Sequence, residues 1–150
     1  MENKFLDVIG CKILVELQTN ARMSFTELGR RVGLSTPAVM ERVRRMEESG
    51  IIISYSAVIN AAHIGYPTLA FIGVNVTGDF ISRMGNLTRT IPEIIECHRV
   101  TGSHSFLLKI VASSVNELER IIDQLSPYVA TTTSIVLSSV ITTRILEPRT

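Results

Sequence analysis

The sequence predicts an α+β fold in two parts, and two observations lead to this prediction. Between residues 24 and 45, two short helical patterns are joined by a turn at Gly33-Leu34-Ser35. From Gly65 onward, β-branched runs alternate with amphipathic helical runs in the order βαββαβ. These patterns predict an N-terminal winged helix-turn-helix domain over residues 1–63 and a C-terminal ferredoxin-like domain over residues 64–150.

Residues 6–18 have the apolar spacing of a first helix. Their apolar side chains form two stripes, which predicts burial on two sides. The first stripe contains Leu6, Ile13, Leu14 and Leu17, and the second contains Val8, Cys11 and Val15. One side is expected to complete a three-helix bundle. The other side either lies deep in the same bundle or meets a partner subunit.

The helix-turn-helix motif, at about residues 25–44, begins with a capping signal. Glu27 follows Ser24 at the spacing that lets each side chain satisfy the free backbone N–H of the other residue. Leu28 and Val32 are expected to face the core, and Gly33 supplies the positive φ that a helix C-terminus often adopts. The first helix of the motif is therefore expected to end at Gly33.

The chain is expected to restart as a helix directly after this turn. Ser35 is a favourable N-cap, and Pro37 is tolerated in a first helical turn because its missing N–H would have no intrahelical partner there. Val39, Val43 and Met46 repeat at helical spacing and should face the core. The cap and the outward residues are the candidate DNA contacts, namely Ser35, Thr36, Pro37, Met40, Glu41, Arg42, Arg44 and Arg45.

This outward face suits the major groove of double-stranded DNA, which accepts one α-helix. Arg42, Arg44 and Arg45 are expected to add affinity through phosphates. The residues placed to read base edges are Ser35, Thr36, Pro37, Met40 and Glu41. The whole chain has a formal net charge of only +1, but residues 24–45 hold five arginines against two glutamates. The positive field is therefore local. The alternatives are a solvated hairpin whose arginines only keep it soluble, and a scaffold whose hairpin contacts other proteins.

The chain that follows the motif can be divided into elements in order. Residues 51–58 look like a short extended segment, the wing or linker of a winged helix. The predicted strands are residues 68–76, 94–101, 105–112 and 131–143, and the predicted helices are residues 80–91 and 115–125. Pro92 closes the first of these helices, Gly102-Ser103 makes the hairpin turn, and Ser114 caps the second helix.

Two helices can cover only one face of such a four-stranded antiparallel sheet. The predicted strands are nonetheless apolar at nearly every position, so something else must bury the other face. The residues concerned are Leu69, Ala70, Phe71, Ile72, Val74 and Val76 in the first strand, and Ile135, Val136, Leu137, Val140 and Ile141 in the last. A second copy of the sheet is the economical cover. We therefore expect an obligate homodimer whose two recognition helices read half-sites about 34 Å apart.

Several function classes are disfavoured. Cys11 and Cys97 lie far apart and no secretory signal is present, so both are expected to be small buried hydrophobes. No apolar stretch approaches the roughly 20 residues that cross a bilayer, so no membrane partner is predicted. Together with the predicted DNA binding, this favours a cytoplasmic, nucleoid-associated protein. Cys97 and His98 should point to opposite faces of a strand, and His104 has no neighbouring nucleophile. No metal, cofactor or catalytic residue is predicted.

Three segments carry a resemblance to a known family. They are Leu6-Asp7 with Ile13-Leu14, NARMSFTELGRRVGLSTPAVMERVRRMEESGII from Asn20 to Ile52, and VTGSHSFLLKI from Val100 to Ile110, together with Tyr55 and Gly65. On the strength of these segments, the chain resembles the Lrp/AsnC family of feast/famine transcription regulators. The resemblance extends over nearly the whole length of the chain. The resemblance implies a ligand-sensing domain, sheet-mediated dimers that assemble into octamers of four dimers, and DNA binding tuned by amino acids.

The resemblance also implies an effector site at the loop after the second strand of the sensing domain, where neighbouring dimers meet. In this chain the loop consists of Thr101, Gly102, Ser103, His104 and Ser105. The family usually places an aspartate three residues after the glycine, where it holds an amino acid's ammonium group, whereas this chain has Ser105. A serine brings no charge, so roughly 1 kcal/mol or more of charge-assisted binding is missing.

Two further expectations follow from these departures from the family pattern. If an amino acid binds, Glu96 or Asp123 is the acid expected to replace the missing aspartate. The alternative to an effector-tuned regulator is an architectural protein that bends or wraps DNA without an effector. Gly10 replaces a second family acid in the first helix. There it is expected only to weaken the helix, by about 1 kcal/mol.

Overall fold

A computed structural model describes residues 5–78 and 80–148 of the chain. They form two compact units. Unit 1 contains the described residues up to Val58 together with those from Ile141 onward, and unit 2 spans Ile59–Val140. The described residues from Ile141 onward therefore belong to unit 1, whereas the predicted division at residue 63 assigned them to the second domain. No helix of the described residues is long and apolar enough to cross a bilayer.

Unit 1 is built on three helices, α1 (Val8–Thr19), α2 (Phe25–Val32) and α3 (Thr36–Glu48). Their apolar faces form one core of Ile13, Leu17, Leu28, Val32, Val39, Val43 and Met46. The predicted core positions of α2 and α3 are all in it. The Gln18 side-chain amide donates to the Leu146 carbonyl and accepts from the Leu146 N–H, each at 2.9 Å. This two-point contact joins the end of the chain to α1.

The capping predictions in the motif are confirmed in part. Ser24 caps α2 by accepting a hydrogen bond from the Glu27 N–H at 3.2 Å, and Gly33 ends the helix at φ 75°. The Glu27 carboxylate, however, accepts from Arg30 and Arg31. Ser35 is the N-cap of α3 but makes no side-chain capping bond. The second half of the predicted capping box is therefore wrong, whereas Ser35 holds the N-cap position that the sequence predicts.

The predicted wing forms neither a helix nor a strand. Residues 49–60 connect α3 to a short 3-10 helix, Ala61–Ile64, which Asn60 caps through the Ala62 N–H at 3.1 Å. Ile53 and Val58 are 89% and 86% exposed. The segment is a linker: Ile51 and Ile52 at its start pack against the core of unit 1, whereas the later apolar side chains are exposed.

Unit 2 confirms the βαββαβ prediction. Its elements are β1 (Thr68–Asn75), α4 (Phe80–Arg89), β2 (Ile94–Arg99), β3 (Phe106–Ala112), α5 (Val115–Leu125) and β4 (Ala130–Ile135). The sheet is antiparallel throughout, in the order β2-β3-β1-β4. Ser114 caps α5 by accepting from the Glu117 N–H at 3.1 Å.

The last strand ends at Ile135, well before the predicted residue 143. Val136 donates one further hydrogen bond to the Leu69 carbonyl. The partner strand β1 begins at Thr68, directly after Pro67. No further residues of β1 are therefore available to pair with the chain after Val136. Leu137 and Val140 are 97% and 95% exposed, and the prediction of a strand over residues 136–143 is therefore wrong.

The two faces of the sheet differ. Ala70, Ile72 and Val74 of β1 lie in the core with residues of α4 and α5. Because side chains alternate along a strand, Leu69, Phe71 and Gly73 belong to the opposite face, which we call the open face. Register adds Leu107, Lys109 and Val111 of β3 to the open face. Cys97 is exposed on β2 and Cys11 is half-buried, so the prediction that both cysteines are buried is wrong.

Candidate nucleic-acid interface and ligand loop

The outward face of α3 is formed as the sequence predicts, except at Arg42, which turns toward α1. Ser35, Pro37, Met40, Arg44 and Arg45 are exposed, and Thr36, Glu41 and Arg42 are half-buried. The apolar positions between them are anchored in the core of unit 1, which fixes the rotation of the helix about its axis. The predicted contact residues therefore share a rigid element. The charged residues among them differ in their ion-pair partners.

Glu41 neutralises the centre of this face. Its carboxylate accepts from the Arg44 Nη2 at 2.8 Å and from the Arg45 Nε at 2.7 Å. Arg44 also pairs with Glu48. The Arg44 and Arg45 hydrogen bonds lower the pKa of Glu41 to about 2, and Glu41 in turn raises the pKa of Arg44. In the free protein both arginines are therefore held along the helix by carboxylates.

Arg42 lies on a different side of α3 and faces α1. Its guanidinium donates to both carboxylate oxygens of Asp7, each at 2.8 Å. Asp7 is also the N-cap of α1, accepting from the Gly10 N–H at 2.7 Å. The Arg42 hydrogen bond is the largest cause that lowers the pKa of Asp7, to about 2. The side chain is thus engaged in joining two helices, a role that the one-dimensional pattern of arginines does not reveal.

The arginines of α2 are also paired. Arg30 and Arg31 both bond to Glu27, and Arg31 reaches Glu16 of α1 at 2.9 Å. The pKa of Glu27 is lowered to about 2 by these two arginines, Arg30 first. The local positive field expected from five arginines is therefore reduced by acids outside residues 24–45 as well as inside them.

An apolar groove lies along the exposed side of α3, and the sequence pattern did not indicate it. Its volume is about 430 Å³, and it is lined by Phe25, Pro37, Met40, Glu41, Val43, Arg44 and Glu47. Met40 is 47% exposed, and Phe25, in the first turn of α2, is 39% exposed. The signal for Phe25 was its place directly after the Ser24 cap, at the first position of α2.

The loop between β2 and β3 holds the predicted effector residues. Thr101, Gly102 and Ser103 are exposed, and Gly102 has φ 107°. Ser105 is tied to the end of β1, because its hydroxyl accepts from the Val76 N–H and donates to the Val76 carbonyl, both at 3.3 Å. The side chain at the position of the family aspartate is therefore bonded within the protein.

His104 lies on the open face of the sheet. A Cβ added to Gly73 would come within 2.5 Å of the His104 ring, so the imidazole occupies the space that the glycine leaves. The His104 Nδ1 is buried and has no hydrogen-bond partner in the part of the chain that the structure describes. The loop thus extends onto the open face and brings a polar atom to it.

The two substitute acids are placed differently. Glu96 bonds to Lys109 at 2.8 Å and to His98 at 3.1 Å, and Lys109 is the first cause that lowers its pKa. Asp123 lies on α5. Cys97 and His98 pair with successive residues of β3 and so point to opposite faces, as predicted. Within the described ranges, no group of three or more His, Cys, Asp or Glu residues is arranged to hold a metal ion.

Comparison with known sequences finds a family model for each of two parts of the chain. Residues 6–47 match the AsnC-type helix-turn-helix domain, and residues 69–146 match the Lrp/AsnC ligand binding domain. The chain belongs to the Lrp/AsnC family of transcriptional regulators. It is 36% identical over 135 residues to the transcriptional regulator LrpC of Bacillus subtilis, covering 90% of this chain and 94% of that protein. It is 34% identical over 123 residues to the leucine-responsive regulatory protein of Haemophilus influenzae, covering 80% and 74% respectively.

Solved structures of Lrp/AsnC proteins share the fold. Bacillus subtilis LrpC matches with a TM-score of 0.87 and 36% identity, covering 92% of this chain and 99% of that one. A regulator from Neisseria meningitidis, in complex with L-methionine, matches at 0.88 and 29% identity over 94% and 96% of the two chains. The feast or famine regulatory protein of Mycobacterium tuberculosis, also complexed with L-methionine, matches at 0.88 and 30% identity over 95% and 99%. The chain is thus a DNA-binding regulator with a helix-turn-helix.

Proposed function

We propose that this Lrp/AsnC regulator binds double-stranded DNA as a homodimer and that a small amino-acid-like molecule at the 101–105 loop tunes this binding. Ser35, Thr36, Pro37 and Met40 read base edges. Glu41 holds Arg44 and Arg45 in the free protein, and these two arginines bind phosphates when they exchange Glu41 for DNA. Arg42 contributes by holding α3 against α1 through Asp7. The protein carries out no catalysis, and it acts in the cytoplasm on the nucleoid.

One observation carries the assembly part of the proposal, namely the open face of the sheet. Leu69, Phe71 and Leu107 are half-buried apolar residues on that face, where neither α4 nor α5 can reach them. A second copy of the face would bury them, since a two-fold interface presents the same surface twice. The exposed Leu137 and Val140, next to the end of β4, add to the apolar surface that a partner subunit would cover. Four such dimers would form the octamer.

The effector part rests on the position of the ligand loop. The loop reaches the open face through His104, so a molecule bound there would contact the surface at which subunits meet. The complexes of the Neisseria and Mycobacterium relatives with L-methionine support an amino acid as the class of ligand. A ligand can alter DNA occupancy only through different affinities for two assembly states, and oligomerisation supplies such states.

A thermal-shift panel of the twenty amino acids against the purified protein tests the effector, with light scattering of each hit to measure assembly. A specific hit that also changes the scattering mass and the retardation of DNA supports the proposal. Sedimentation at micromolar concentration tests the dimer separately, and a monomer there contradicts it. A flat panel with intact DNA binding contradicts the effector part alone.

The second candidate is an architectural protein that bends or wraps DNA without an effector. The observation that favours it is the Ser105 hydroxyl, which is already bonded to the Val76 backbone and offers no charge to an ammonium group. Circularly permuted DNA fragments of equal length distinguish this function. Bent complexes migrate differently according to the position of the site, and identical migration of all permutations counts against bending.

A further inference from the structure

The exposed side of α3 presents apolar surface at the end that enters the major groove. Pro37 is in the first helical turn, and Met40 follows it one turn later on the same side. Met40 is 47% exposed, and Val43, a residue of the core of unit 1, lines the same groove. The exposed apolar surface is therefore continuous with the core of the unit.

Phe25 extends the same surface from α2. Together with Pro37 and Met40 it lines the apolar groove, and Arg44 stands at the groove's margin one turn beyond Met40. Arg44 is exposed and is held by Glu41 and Glu48. The groove thus has an apolar centre bordered by charged side chains of both signs, Arg44, Glu41 and Glu47. It is continuous with the face through which a helix-turn-helix binds DNA.

The major groove offers few apolar groups to such a surface. Base edges there present hydrogen-bond donors and acceptors, and the exception is the C5-methyl group of thymine. A methionine thioether neither donates a hydrogen bond nor accepts one strongly, so it cannot read the polar pattern of a base pair. It can recognise the methyl group by burying it.

From this chemistry we propose that Met40, flanked by Pro37, recognises a thymine C5-methyl group and determines sequence preference at that base pair. The proposal rests on DNA binding through α3. It differs from the expected role of the arginines, because a phosphate contact is indifferent to sequence whereas a methyl contact is not. Removal of one methyl group from an apolar contact should weaken binding about fourfold.

The test begins with selection of tight-binding duplexes from a random double-stranded pool by the full-length protein. Each thymine of a selected site is then replaced singly by uracil, which removes only the methyl group, and affinities are measured by fluorescence anisotropy at fixed salt. The same series is measured with Met40→Ala and Met40→Leu. Val115→Ala is the matched control, because Val115 is a 59% exposed apolar residue of α5.

The expected result is a loss of about fourfold at one thymine of each half-site in the wild type, in Met40→Leu and in Val115→Ala, and no loss at that position in Met40→Ala. Binding that ignores every uracil substitution, or a methyl effect that survives in Met40→Ala, overturns the assignment while DNA binding stands. A protein that enriches no duplex from the pool overturns sequence-specific binding itself. Circular dichroism establishes that each variant is folded.

Discussion

The guanidinium of Arg42 and the carboxylate of Asp7 form a two-point ion pair between α3 and the N-terminus of α1, with both N–O distances at 2.8 Å. The pair is partly exposed, so its contribution to stability is modest, but it fixes the orientation of two helices. We expect Arg42→Ala to lower the melting temperature and to leave the salt dependence of DNA binding nearly unchanged. Arg45→Ala should instead reduce the slope of log affinity against log salt by about one.

Asp7→Asn is the matched variant for this prediction. If Arg42 acts through Asp7, Asp7→Asn reproduces the loss of melting temperature, and the double variant is no less stable than either single one, since both remove the same interaction. Thermal unfolding followed by circular dichroism and titrations at several salt concentrations measure the two effects. An Arg42→Ala variant with wild-type melting and a reduced salt slope would show that Arg42 contacts phosphate.

Glu41 restrains the DNA-binding arginines, and its removal should strengthen binding. Glu41→Gln keeps the shape of the side chain but removes the charge that holds Arg44 and Arg45. We expect higher affinity for all DNA sequences at low salt and a steeper salt dependence, because two cations become free to meet phosphates. Glu119→Gln on α5 is the control for the same change in net charge. A fall in affinity confined to certain base pairs would assign Glu41 a direct role in base reading.

Acid should destabilise unit 1 through its paired carboxylates. The pKa values of Asp7, Glu27 and Glu41 are lowered to about 2 in the folded protein, from ordinary values of 3.8 for Asp and 4.5 for Glu. A carboxylate of this kind stabilises the folded state fully above its unfolded-state pKa, and the contribution is lost as the pH falls through the folded-state value. The denaturant midpoint should therefore fall between about pH 4.5 and about pH 2.

The arginine partners lower these three pKa values. All three carboxylates are at least partly exposed to solvent, so 1 M salt should reduce the effect on the denaturant midpoint. In the double variant Glu27→Gln, Glu41→Gln, the midpoint should depend less on pH over the same range. A midpoint that rises as the pH falls toward 2 would mean that these pairs do not stabilise the folded state. The measurement is urea unfolding followed by the helical circular dichroism signal, from neutral pH to pH 2.

Two helical glycines in unit 1 should resist replacement by alanine, against helix propensity. A Cβ on Gly10 would overlap the Phe5 carbonyl oxygen, and a Cβ on Gly29 would lie 2.6 Å from the Leu34 carbonyl oxygen in the turn. We expect Gly10→Ala and Gly29→Ala each to destabilise the protein by about 1–3 kcal/mol, as overpacking does. The expectation that Gly10 only weakens its helix is therefore incomplete.

Gly85 of α4 provides the control, because nothing lies within 4 Å of an added Cβ there. Gly85→Ala should stabilise by about 0.5–1 kcal/mol, the ordinary gain of alanine over glycine in a helix. Urea unfolding of the three variants measures these differences. If Gly10→Ala and Gly29→Ala are as stabilising as Gly85→Ala, the close approaches at Phe5 and Leu34 are not constraints.

The features that the sequence predicted well are those encoded locally. The Ser24 and Ser114 caps, the left-handed Gly33 and the order βαββαβ depend on residues a few positions apart. The end of β4 was missed because it depends on where β1 begins, which is a matter of pairing between segments some 60 residues apart. An apolar run after Ile135 cannot reveal that its partner strand has ended.

In the candidate site, too, the sequence predicted what depends on neighbouring residues and missed what depends on contacts between distant ones. Helical spacing placed Met40 and Arg44 on the outward face, but it could not separate Arg42, whose partner Asp7 is 35 residues away. The groove at Phe25 was missed for a similar reason, since it requires α2 and α3 to be packed together. Charge counts also overestimated the positive field, because Glu16 and Asp7 approach the arginines only in the folded unit.

The ligand loop should recover charge recognition if its aspartate is restored. Ser105 occupies that position and bonds to the Val76 backbone. In Ser105→Asp, one carboxylate oxygen can accept from the Val76 N–H while the other is free for an ammonium group. A charge-assisted hydrogen bond is worth about 1.5–3 kcal/mol, so amino-acid affinity should rise by about tenfold or more. Isothermal titration with L-methionine measures it, and Ser105→Ala, which adds no charge, should bind no more tightly than the wild type. Equal affinities in Ser105→Asp and Ser105→Ala would place the ammonium-binding group elsewhere than this loop position.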